Sequence, residues 1–152
     1  RIRNAAAVLA DVTDDIVTSL FTSNFGSALW TAQAVATRFT AGGAIVMVGS
    51  KTAVTGPAPV AHATSKAGVV RLVQILADVT VDPATATATV GPGRVNAVLR
   101  SVIDTPANRS WMSDDLAARA VAPAAIAKVI AFLCGPDAAP ISGAAIPVYG
   151  DA

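Results

Sequence analysis

Three side chains of this 152-residue chain have the types and spacing for acid–base work on a polarised oxygen. Ser50 closes the run AIVMVGS, and His62 and Lys66 follow four residues apart in a helix-compatible segment. That spacing puts the imidazole and the ammonium on one helix face, one turn apart. A hydroxyl can hydrogen-bond a carbonyl or alcohol oxygen, and an imidazole, with an ordinary pKa of about 6.5, can exchange a proton with it. A hydrolytic alternative makes Ser50 the nucleophile and His62 its base. No GxSxG surrounds Ser50, however, and no aspartate is placed by spacing to orient His62. One histidine, one cysteine and no glutamate leave no cluster of metal ligands.

The elements that must position these groups are legible from periodicity. Ala44 to Val48 is a continuous apolar run between Gly42-Gly43 and Gly49-Ser50, which predicts a strand buried on both faces. Thr13 is a good N-cap with Asp14 and Asp15 behind it, and apolar residues at helical spacing predict a helix over 14–39 that includes Asn24. A second helix is expected over 62–79. Asp82 to Gly93, rich in Pro, Gly and alternating Ala/Thr, reads as a loop. A strand over 94–99, a short helix capped by Ser113, a helix from Pro123 to Gly135 and a last strand over 141–149 complete the series. Strands alternating with helices predict an α/β fold, a parallel sheet with flanking helices, in a single domain over 1–152.

A net charge of +1, 14% charged residues and no basic run recommend neither a nucleic acid nor an anionic membrane as partner. No apolar run approaches the roughly 20 residues that span a bilayer, and the cluster Asp11, Asp14, Asp15 rules out a signal-peptide core after Arg1 and Arg3. A cytoplasmic protein is expected, with Cys134 as a small core residue. The 53% hydrophobic share with so few charges predicts that part of the exterior is hidden in a subunit contact.

The central segment resembles the short-chain dehydrogenase/reductase family. GGAIVMVGS is similar to the family's glycine-led strand and serine, and HATSKAGVVRL to its YxxSKAA helix start, with His62 at the tyrosine position. RNAAAV resembles the end of the NNAG strand, RVNAV matches a later strand, and Gly143, Val148 and Gly150 keep part of the closing TGxxxxVDGG pattern. The resemblance implies the carboxyl-terminal part of a Rossmann-like doubly wound fold and hydride transfer between a nicotinamide cofactor, NAD(P), and a carbonyl or secondary alcohol. It implies catalytic roles for Asn24, Ser50, His62 and Lys66, and cofactor contacts from Asn4, Lys66, Ile103 and Thr105. It also implies a homo-oligomer through helices 14–39 and 62–79.

Several departures bear on activity. The general acid of the family is a tyrosine; His62 has a shorter reach, and Lys66 one turn away favours its neutral form. Arg100-Ser101 replaces the family's Pro-Gly, and Tyr149 and Asp151 replace its closing aspartate and glycine. No glycine-rich turn opens a helix after a first strand, so NADH or NADPH is expected to bind this chain weakly. Two readings follow: a short-chain oxidoreductase impaired as it stands, or a non-catalytic homologue that keeps the helices as an assembly surface.

Overall fold

A computed structural model of the chain describes residues 9–36, 38–39, 42–78 and 93–151. Residues 82–92 of the loop expected over 82–93, and Asn4, lie outside the described residues. Three strands, β1 (Ala44–Ser50), β2 (Arg94–Arg100) and β3 (Ala145–Val148), form a parallel sheet in the order β1-β2-β3. Parallel neighbours need crossovers, and the helices supply them. Helices α1 (Asp14–Leu20), α2 (Ser27–Ala36) and α3 (Val60–Ala77) precede β2; α4 (Pro106–Arg109), α5 (Asp114–Arg119) and α6 (Pro123–Cys134) lie between β2 and β3.

The predicted helix over 14–39 is one rod in three pieces. Thr13 caps it by accepting from the Ile16 N–H at 3.4 Å. A π-helical segment, Phe21–Gly26, then separates α1 from α2. The rod stops at Ala36, short of Phe39. The predicted helix over 62–79 begins two residues earlier and ends at Ala77. Ser113 caps α5 by accepting from the Leu116 N–H at 3.3 Å. Pro123 opens α6, and Gly135 follows its last residue.

The sheet is covered on both faces. On one, Val69, Leu72, Val73 and Leu76 of α3 and Ala32 of α2 pack against Met47, Val95 and Ala97. On the other, Ile126 and Leu133 of α6 pack with Val121 and Ala138 against Val98. Alternation along β2 makes both possible, since Ala97 and Val98 point to opposite faces. Gly68 of α3 matters for the first layer: a Cβ there would lie 3.1 Å from the Phe25 ring.

Three expectations need correction. β1 runs on to Ser50 and is an edge among the described strands, so it is not buried on both faces: Val48 is 44% exposed. β3 covers only Ala145–Val148, not 141–149. The preceding segment gives its hydrogen bonds elsewhere: Asn96 Nδ2 donates to the Ile141 carbonyl at 2.8 Å, Asn96 Oδ1 accepts from the Ala144 N–H at 3.0 Å, and Gly143, at φ +77°, donates to the Val95 carbonyl. Cys134 is exposed at the end of α6, because Leu133 takes the inward position beside it. Phe25, partly buried, packs over Gly68 at the margin of the core.

Candidate functional site

The ends of β1 and β2 carry the site. Their register pairs Ala44 with Arg94 and ends by pairing Ser50 with Arg100. A cavity of about 1120 Å³ opens beyond these strand ends. Ser50, His62 and Arg100 line it, with Ile103, Asn108 and Trp111 on the far wall and Pro57 and Pro59 at the loop side. Crevices outside the carboxyl ends of parallel strands are where α/β sheets bind ligands.

Ser50 is 3% exposed, and its Oγ lies 2.8 Å from the Thr52 hydroxyl. It also accepts from the Thr52 N–H at 3.3 Å. Either hydroxyl can be the donor of the pair. When Thr52 donates, Ser50 keeps its proton for an oxygen in the cavity.

His62 sits in the first turn of α3 and is 5% exposed. Its Nδ1 is buried with no hydrogen-bond partner among the described residues. Burial holds the imidazole below its usual pKa, and the charges of Arg100 and then Lys66 push the same way. The ring is therefore neutral at pH 7, a proton acceptor in waiting. An orienting carboxylate on Nδ1, which a serine-nucleophile triad needs, is not built here.

Lys66 does not share that cavity. Its Nζ donates to the Val48 carbonyl at 3.0 Å and lines a smaller space of about 320 Å³ with Asn24, Ser27 and Thr31, beside β1. Burial and the Arg100 charge hold its ammonium below the usual lysine range. Asn24, in the π segment, donates through Nδ2 to Ser65 Oγ at 3.0 Å, and Ser65 donates to the His62 carbonyl at 2.9 Å. The four residues expected to be catalytic thus fall into two pairs, Ser50 with His62 and Asn24 with Lys66, joined through α3.

Ile103 lines the large cavity, but its carbonyl already accepts from Asn108 Nδ2 at 2.8 Å. The Thr105 hydroxyl caps α4, accepting from the Asn108 N–H at 3.2 Å. Asn108 and Trp111 were not among the expected site residues, although Thr105-Pro106 is a cap followed by a proline at the first helical position, a legible start signal. The cavity has room for a nicotinamide ring and a small substrate, and Ile103, Ser50 and His62 stand around it. Among the described residues no glycine-rich strand-to-helix turn is present for a pyrophosphate. No group of three or more His, Cys, Asp or Glu converges for a metal among the described residues, and no described helix is long and apolar enough to cross a membrane.

A family model described as enoyl-(acyl carrier protein) reductase matches residues 2–150. Among solved structures, the chain is similar to a short-chain oxidoreductase from Pseudomonas aeruginosa PAO1 with NADPH bound and an atypical catalytic center: 27% identity, TM-score 0.79, 94% of this chain and 59% of that one. A short-chain dehydrogenase/reductase from Serratia marcescens matches at 25% identity and TM-score 0.78, over 94% of this chain and 59% of that one. A 4-hydroxyisoleucine dehydrogenase complexed with NADH shares the fold at 21% identity and TM-score 0.74, over 93% of this chain and 61% of that one. The chain therefore spans about three fifths of the length of these structures. No curated protein matches it in sequence.

Proposed function

This chain belongs to the short-chain dehydrogenase/reductase family, and from that premise we propose that it carries the carbonyl end of an oxidoreductase site, interconverting a carbonyl and a secondary alcohol with a nicotinamide cofactor. The observation that supports this reading most is the meeting of Ser50, His62 and Ile103 on one cavity at the strand ends. The nicotinamide, when bound, supplies or accepts the hydride at the substrate carbon. Ser50 donates a hydrogen bond to the substrate oxygen. In alcohol oxidation neutral His62 takes the hydroxyl proton as the carbon loses hydride; in carbonyl reduction the imidazolium returns a proton to the oxygen. Since burial and two cations keep His62 neutral, the site is better poised as a base than as an acid. Lys66, with Asn24, is assigned to the ribose side. Binding of NADH or NADPH to this chain alone is expected to be weak, for want of a pyrophosphate cradle.

A second reading, a non-catalytic homologue acting as an assembly subunit, draws on Val17, Phe21, Leu29 and Trp30, large apolar residues exposed along the α1–α2 rod. Assay of product alcohol and ketone with both cofactors discriminates the two. The first reading expects slow turnover, reduction that falls as pH rises from 6 to 8 while oxidation does not, and at least about a tenfold gain in reduction for His62→Tyr, the scale of general-acid catalysis. No turnover in either direction from the wild type or His62→Tyr chain would leave the assembly reading.

A further inference from the structure

The wall of the large cavity carries a charge that the carbonyl chemistry does not use. Arg100 is partly buried at the end of β2, where its guanidinium has one hydrogen bond, from Nη1 to the carbonyl of its neighbour Ser101 at 3.2 Å. It has no ion pair among the described residues, where the two salt bridges are Arg109–Asp104 and Arg119–Asp115. Asp104 is four residues from Arg100 in sequence, but both its oxygens are held by Arg109, Nε to Oδ1 and Nη2 to Oδ2 at 2.7 Å. Of the cavity's lining side chains, Lys51, His62 and Arg100 are basic and none is acidic. A partly desolvated guanidinium on the cavity wall, with most of its five donors unspent on the protein, is available to an anion. Burial indeed works against its charge, holding Arg100 below the usual arginine value.

We propose that this cavity binds small carboxylate substrates, oxo acids and their hydroxy acid counterparts, with the carboxylate forked by Arg100 and the reacting oxygen turned to Ser50 and His62. A planar two-oxygen anion matches the planar fork of a guanidinium; phosphate can be forked as well, and the carbon chain that meets the cavity's apolar wall is what favours an organic acid over it. Register supports the division of labour: Ser50 and Arg100 are partners across β1 and β2, so a substrate a few atoms long reaches both. Trp111, Pro57 and Val102 supply apolar wall for the carbon chain between. The substrate class rests on the proposed role of Ser50 and His62, but the anion site does not need a cofactor.

His62 is the sole histidine, so its ring C–H resonances report on this cavity without ambiguity. In the untagged chain at fixed ionic strength and pH 7.5, acetoacetate is titrated against its uncharged analogue ethyl acetoacetate and against inorganic phosphate. The expected result is saturable binding of acetoacetate at least about tenfold tighter than of the ester or phosphate, lost in Arg100→Gln and partly kept in Arg100→Lys, with folding of each variant checked by circular dichroism. Equal affinity for acid and ester, phosphate matching the acid, no saturation by the acid, or a preference that survives Arg100→Gln would each overturn the site. Acid preference without any turnover leaves the anion site standing and removes the oxidoreductase reading; reduction of neutral ketones without acid preference does the converse.

Discussion

Ser50 and Arg100 stand opposite one another at the last rung of the β1–β2 ladder, so a hydroxyl and a guanidinium enter the same cavity from adjacent strands. Neither neighbour in sequence hints at the other, and their meeting is a product of parallel register. Burial lowers the proton affinity of His62, and the Arg100 cation on this same rung lowers it further.

That lowering makes stability depend on pH in a definite direction. In the unfolded chain His62 titrates near 6.5, and in the folded chain lower. Between the two values the unfolded state binds more protons, so stability falls as pH drops below about 6.5 and levels off under the folded-state pKa. Asp104 acts in a separate, more acidic window: the Arg109 hydrogen bond lowers its pKa, so its contribution is lost only as pH falls below the ordinary carboxylate value of 3.8. Urea denaturation of the wild type and His62→Gln at pH 7.5, 6.5 and 5.5 should show the variant gaining on the wild type as pH falls. A constant difference across the three would show that His62 titrates normally in the folded chain.

Arg94 should be worth more to the fold than its position at a strand start suggests. Its guanidinium donates to the carbonyls of Leu133 at 2.7 Å, Ala138 at 2.9 Å and Gly135 at 3.0 Å, closing the carboxyl end of α6. Arg94→Met strands these acceptors and is expected to cost about 2 kcal/mol. Arg71→Met, which removes only an exposed 3.4 Å contact to Gln74, should stay within about 0.5 kcal/mol. Similar losses for the two in chemical denaturation would refute the capping role.

Self-association is expected through the α1–α2 rod. Trp30 is 56% exposed and Phe21 and Leu29 are more than a third exposed, an apolar surface that a two-fold contact would cover. Light scattering at tens of micromolar should give a dimer or larger, and Trp30→Glu a monomer with an unchanged circular dichroism spectrum. Phe25→Asp should instead lower stability, since Phe25 faces Gly68. A monomeric wild type would count against the contact.

Local chemistry accounts for what could be read beforehand. Thr13, Ser113 and Pro123 mark helix starts through groups within four residues, and the apolar run before Ser50 marks β1. The unforeseen features depend on distant partners. Arg94 reaches carbonyls about 40 residues away, and Asn96 takes from β3 the residues that periodicity had assigned to it. His62 and Lys66 do share a helix turn, yet β1 ends between their surroundings, and each opens to a different cavity. The family motif picked out Ser50, His62 and Ile103, which line the cavity, but carried no information about the Arg100 side of it, where the motif itself is broken.

The π segment Phe21–Gly26 also sets an angular phase. A π turn holds one residue more than an α turn, so the segment takes up one extra residue while α1 and α2 keep the facing they would have in an uninterrupted α-helix. Removing one of these six would let the rod close as α-helix throughout, with Val17 still on the side it now presents, whereas removing one residue from α1 or α2 would turn what precedes it by about 100°. Deletions are therefore not equivalent along this rod: within 21–26 a lost residue takes away the bulge that carries Asn24, and in α1 or α2 it is a rotation.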